Sequence, residues 1–260
     1  MPEGFSLFSP ATAACNLDGP VTTGLIMNGL TKILALSLLA GAASGCSTAR
    51  IALSPHLAAA TEPLALTGMG YGETGRFAVA GSSGSFTRKA LESRQLAPFT
   101  DDATTHYRGG GSYSISGPDV AGTVSATCRY HEDEVDAGAL VATVERFRYR
   151  CAFARDGRPI DADLRLAAVP RSPGKLLSAA TRAGRLRVGG QTLMIEPIHH
   201  MVGTRLPSGD PLGYRFIRDG REIGAVDLNG ERKTVFAPRH GPDREAVLIG
   251  SVALSILWHS

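Results

Sequence analysis

A chain of 260 residues with 43% hydrophobic and 20% charged residues has enough apolar side chains for a folded core, which excludes a disordered protein. Its 27 Lys and Arg against 24 Asp and Glu leave a net charge of only +3. No Lys/Arg run is dense enough to form a nucleic-acid footprint, so no nucleic-acid partner is expected. Residues 1–26 hold Glu3 and Asp18 but no Lys or Arg. An export signal needs a positive head, so this stretch reads as a mis-assigned extension, Met27 as the start, and Cys15 as a residue without a role.

Residues 27–45, "MNGLTKILALSLLAGAASG", carry one cation (Lys32), a short apolar core over residues 33–40, and the small residues Ala43, Ser44 and Gly45 directly before Cys46. The apolar stretch is shorter than the roughly 20 residues a membrane span needs. This order resembles a bacterial lipoprotein signal peptide, with Ala43 standing where Leu is commonest. The resemblance implies cleavage between Gly45 and Cys46 and a diacylglycerol on the Cys46 thiol. With Ser47 next, it also implies an outer-membrane anchor facing the periplasm. The membrane is then a partner through the N-terminal lipid.

Residues 46–66 are rich in Ala, interrupted by Pro55 and Pro63, and follow neither the helix nor the strand period. They read as a lipidated tether that holds the folded part well away from the membrane. From residue 67 to 260, short alternating runs such as "GRFAVAG", "GTVSATCRY", "FRYRCAFA" and "ADLRLAAV" alternate with Gly, Pro, Asp and Asn. That spacing predicts one mainly β domain. Cys128 and Cys151 each fall on the apolar face of such a run and form an even pair in an exported chain, which predicts a disulfide. The bridge is geometrically easy if the two strands meet through a polar loop at "HEDE" (residues 131–134); two free buried thiols are the alternative.

In "YRFIRDGREIGAVDLNGERKTVFAP", Asp219-Gly220 and Asn229-Gly230 separate three alternating segments, and these dipeptides suit tight hairpin turns. A three-stranded meander is expected. Asp243 is placed to N-cap a helix after Pro242. Beyond it, Val247, Leu248, Ile249, Val252, Leu254, Ile256, Leu257 and Trp258 cover all directions of a helical period, so no wet face is left. Thirteen residues of helix measure about 20 Å, short of a bilayer. A helix of this kind must be surrounded by protein, and Gly250, Ser251 and Ser255 give strands room to approach. A strand over part of the run is the other reading.

The meander followed by a wholly apolar final helix resembles the tubby-like superfamily, which includes phospholipid scramblases and LURP-one-related proteins. The likeness covers residues 214–258. It implies an antiparallel β-barrel enclosing the C-terminal helix; a β-sandwich or a lipocalin-like barrel with a packed helix are the alternatives.

Chemistry is sparse. "GSSGS" (residues 81–85) lacks the last Gly of a nucleophile elbow, and "GGGSYSISG" fits no better. His199-His200 and the HEDE run have no metal-ligand spacing, and "TGMGYGETGRF" lacks the strand and helix a phosphate loop needs. No catalytic residue, metal or cofactor is expected. Arg146, Arg148 and Arg150 on one strand face, with Arg185 and Arg187 on another, either supply the polar side chains any outward position needs or build a basic wall. The expected function is a non-catalytic envelope interaction or structural module whose partner is anionic lipid headgroups or another envelope protein. A carrier of small apolar ligands and an envelope hydrolase are the rivals.

Overall fold

A computed structural model describes residues 50–96, 103–137, 140–169, 182–204 and 206–257. Gly45, Cys46, the extension, the signal segment and Trp258 lie outside the described residues. After a short helix α1 (Pro55–Ala60) come β1 (Thr61–Leu66), β2 (Thr74–Val79), β3 (Ser82–Leu96), β4 (Ala103–Gly117), β5 (Val120–Ala137) and β6 (Leu140–Arg155). Then follow β7 (Arg158–Ala168), β8 (Arg182–Val188), β9 (Gln191–Ile198), β10 (Gly213–Arg218), β11 (Arg221–Asp227), β12 (Lys233–Pro238) and α2 (Pro242–Ser255).

From β2 to β12 each strand pairs antiparallel with the next, and β12 returns to pair with β1. The sheet then almost closes on itself. Thr67 and Ala78 exchange two backbone hydrogen bonds of 3.0 Å between the ends of β1 and β2. This twelve-stranded, nearly closed barrel is the expected fold class, and it displaces the sandwich alternative.

The turns explain why successive strands are neighbours. Asp219-Gly220 has φ of 49° and 76°, and Asp156-Gly157 has 50° and 76°. Positive φ at both central residues gives a turn whose twist matches its strands, and Gly adopts it without a Cβ penalty. Asn229-Gly230 departs from expectation: only Gly230 is left-handed, and a five-residue loop joins β11 to β12. The Asp227 carboxylate accepts from the Asn229 N–H at 2.9 Å, which favours the wider bend.

The helix α2 runs inside this wall. Val247, Leu248, Ile249 and Val252 have no exposed surface, Leu254 and Ile256 are 1% and 2% exposed, and Leu257 is half-buried at the end. A strand in this position is thereby corrected to helix. Packing is close because Gly224 and Gly250 lack side chains: a Cβ at Gly224 would lie 2.6 Å from Val247, and one at Gly250 would lie 2.8 Å from Leu186. Ser255 Oγ donates back to the Ser251 carbonyl at 2.7 Å, as a buried helical hydroxyl should. Two strand tyrosines complete the enclosure. Tyr113 donates to the Ile249 carbonyl at 2.7 Å and Tyr149 to the Ala253 carbonyl at 2.6 Å. The second carbonyl lies in the last turn, where helical acceptors lack amide partners. Burial drives both phenol pKa values well up, so both remain donors.

The helix N-terminus differs from expectation. Gly241, at φ 94°, is the cap residue, Pro242 opens the first turn, and Asp243 lies inside it. Asp243 instead accepts from Arg218 Nη1 at 2.5 Å, anchoring the helix start to β10. No helix among the described residues is long and apolar enough to cross a membrane.

The expected tether over residues 46–66 is corrected from Ile51 onward. Ile51 pairs with Met201 and donates its N–H to Asp227 Oδ2 at 3.1 Å. Ser54 caps α1 at the Leu57 N–H, and β1 is a stave of the barrel. The physical reason is an apolar outer face: Ala225 on β11 and Phe236 on β12 point outward, and Ile51 and Leu57 cover them. Proline and alanine hid this because the segment is too short to display a period.

Cys128 and Cys151 stand directly opposite on β5 and β6, with Cα atoms 4.0 Å apart, and form the expected disulfide. Closing a loop of 23 residues contributes about 3 kcal/mol in the chain-entropy account. The joining loop is not at HEDE. Residues 131–134 lie within β5, which continues to Ala137 before β6 begins. The charge of Asp133 is met across the sheet, where Arg108 Nη2 donates to Asp133 Oδ2 at 3.1 Å. That bond, with a further one from His106, holds the Asp133 carboxyl below its ordinary value.

Candidate functional site on the outer wall

Outward positions on β5 to β8 carry an unusual concentration of arginine. The predicted residues Arg146, Arg148 and Arg150 are all exposed, alternating with buried Phe147, Tyr149 and Cys151; Arg185 and Arg187 are exposed around buried Leu186. Register brings in two that strand-by-strand reading missed. Arg129 stands opposite Arg150, Arg150 opposite Arg165, and Arg165 opposite Arg185. These four form one row across four adjacent strands. Arg148 stands beside it, opposite His131. The signal was present as outward arginines, but only strand pairing shows that they are side by side.

A surface groove of about 630 Å³ follows this row. Arg129, Arg148, Arg150 and Arg165 rise around it, and Ala152 and the backbone of Cys151 and Leu164 form its floor. Among the described residues carboxylates meet the row at one point. Asp163 accepts from Arg165 Nε at 2.5 Å and lies 3.2 Å from Arg187 Nε, and Asp161 pairs with Arg187 at 2.7 Å. Among the described residues Arg129, Arg148, Arg150 and Arg185 have no carboxylate partner. Like charges directly opposite each other on a sheet are destabilising, so the row is held against its own repulsion.

A second basic region lies at the barrel mouth, where α2 ends. A depression of about 410 Å³ is lined by Arg88, Arg182, Lys233, Tyr214 and Leu254 among others. Its cations have structural work. Arg88 donates to the carbonyls of Gly70 and Gly72, and Lys233 Nζ to that of Met69 at 3.3 Å, tying the loop before β2 across the helix C-terminus. Arg182 lies 4.1 Å from the Phe147 ring centroid. Burial and the nearby Arg88 lower the Lys233 pKa, and burial raises that of Tyr214 to about 12.

One arrangement resembles a hydrolytic triad in register alone. Ser93 on β3 stands opposite His106 on β4, which stands opposite Asp133 on β5. His106 Nδ1 is 3.0 Å from Asp133 Oδ1. Among the described residues Ser93 makes no hydrogen bond to His106, so the serine and the imidazole are not coupled as a nucleophile and its base. His199 Nδ1 meets the Ser208 carbonyl at 3.1 Å and has no metal-ligating neighbour pair. No group of three metal-ligating side chains occurs among the described residues. The serines of residues 81–85 and 112–116 belong to the strands β3 and β4.

Comparison with protein-family models found none that matches this chain, and comparisons with curated proteins and with solved structures also found no match.

Proposed function

We propose that this protein is a non-catalytic interaction module of the bacterial envelope, held at the outer membrane by a lipid on Cys46 and facing the periplasm. The observation that carries the reading is the filled lumen. With Val247, Leu248, Ile249 and Val252 fully buried inside the strands, the helix occupies the space among the described strands that a carrier barrel keeps open for its cargo. The working surface is then the outside, where the arginine wall attracts anionic groups of the envelope, lipid headgroups among them. The likeness of residues 214–258 to the tubby-like superfamily, and a barrel wrapped on its last helix, support this assignment.

The short connection gives the anchor a consequence. Ile51, already built into the barrel surface, comes five residues after Cys46. At about 3.5 Å per extended residue, the lipid would hold the domain within roughly 18 Å of its attachment point. The module thus works close to the membrane surface. The test is palmitate labelling with fractionation in a bacterial host. The wild-type chain should carry label and sediment with membranes, and Cys46→Ser should lose the label and appear in the soluble periplasmic fraction. Label retained in Cys46→Ser would contradict the anchor.

A further inference from the structure

We infer that the arginine row across β5 to β8 is a binding site for an acidic polysaccharide laid across the strands. The inference rests on the reading of the outer wall as the working surface and names its partner.

Three observations carry it. The first is linear order. Arg129, Arg150, Arg165 and Arg185 are successive cross-strand partners, so their Cα atoms recur at about one strand spacing, roughly 4.8 Å, along a line perpendicular to the strands. Lys89, opposite Gly110, which in turn is opposite Arg129, extends the line by two strands. A chain of sugars with an acid on successive units presents its charges in the same linear way. Arg129, Arg150 and Arg185, without carboxylate partners among the described residues, gain most from such a ligand because it relieves their mutual repulsion.

The second is what flanks the row. The outward positions of β3, β4 and β5 beside it are Ser85, Thr87, Ser112, Ser114, Ser125 and Thr127, a field of hydroxyls. Thr87 and Ser112 hydroxyls are 3.0 Å apart and those of Ser85 and Ser114 3.4 Å, each with hydrogen-bonding capacity to spare. Hydroxyls arranged beside cations suit a polyol that also carries acids.

The third is shape, and it distinguishes a polymer from a bilayer. Twelve strands share one turn of the barrel, about 30° each. The four arginines therefore spread over about a quarter of the circumference. A flat membrane meets only part of that arc, whereas a chain bends around it. Among the described residues the arc also lacks the large apolar side chains that a membrane-docking surface combines with its cations. The one large exposed apolar residue in line with it is Met194, at the end opposite Arg185.

The experiment uses the full-length chain with Cys46→Ser, so that no lipid intervenes, and fluorescently labelled polygalacturonate read by anisotropy at low salt. Binding is expected. At about fivefold per arginine, the Coulomb contribution of one contact in water, Arg129→Gln/Arg150→Gln/Arg185→Gln should weaken it about a hundredfold. The same triple change to Lys should keep most of it, and Arg239→Gln, elsewhere on the barrel, should leave it unchanged. Urea unfolding of the triple Gln variant checks that the barrel is intact. No binding by the parent chain, or an equal loss in Arg239→Gln, overturns the inference. Binding to phosphatidylglycerol vesicles through these three arginines, with none to polygalacturonate, also overturns it while leaving the broader reading of an anion-seeking wall in place.

Discussion

Ile249→Asp should abolish the cooperative unfolding transition of the whole domain. Ile249 has no exposed surface, lies mid-helix, and is surrounded by inward side chains of the strands, with its carbonyl taken by Tyr113. An aspartate there has no partner and no route to water, and burying an unpaired charge exceeds the 5–15 kcal/mol by which typical domains are stable. The milder Ile249→Ala separates the effect of charge from that of volume. It leaves a cavity and should cost about 2–5 kcal/mol, with a sharp transition retained at lower urea. Circular dichroism against urea measures both. An Ile249→Asp protein that unfolds like the wild type would mean that the helix has water beside it.

Arg244→Ala should cost about 3–5 kcal/mol, the range for breaking a buried ion pair by removing one partner. Arg244 is 9% exposed and lies in the first turn of α2, where the helix dipole disfavours a cation. Its surroundings compensate. Nη1 donates to Glu62 at 2.5 Å and to the Pro238 carbonyl at 2.8 Å, and Nη2 donates to Asp119 at 3.1 Å. These hydrogen bonds, that to Asp119 above all, raise the guanidinium pKa further, so it stays charged. The residue joins β1, the β4–β5 turn and the end of β12 to the helix start. Its loss leaves Asp119 half-buried without this cation and Glu62 with the exposed Arg239 at 3.6 Å. A shift of the urea midpoint with an unchanged slope is the expected result, and a change below 1 kcal/mol would show that the three elements are held by other contacts.

The sequence disclosed the parts of this fold that repeat at short range. Alternation in "FRYRCAFA" placed Phe147, Tyr149 and Cys151 inside and the arginines outside, as the structure has them. The helix was legible for a similar reason: a run without a polar face has to be surrounded. What stayed hidden depends on pairing between distant strands. The arginine row needs the register of β5 through β8, and Arg129 or Arg165 alone looks like any outward residue. The N-terminal segment was misread because the need for it arises from Ala225 and Phe236, more than 160 positions away. HEDE read as a loop because four polar residues imply water, whereas Arg108 and His106 on the next strand meet Asp133 within the sheet.

The enclosed helix is the claim on which the filled lumen, the excluded cargo and the external working surface all depend. Native-state hydrogen exchange tests it most directly. If α2 is wrapped by the strands, the amides from Val247 to Leu254 exchange only through global unfolding, with protection equal to the stability measured in urea. Exchange of those amides at free energies well below the global value, while β6 and β10 stay protected, would show that the helix leaves the barrel without unfolding it and would contradict the account.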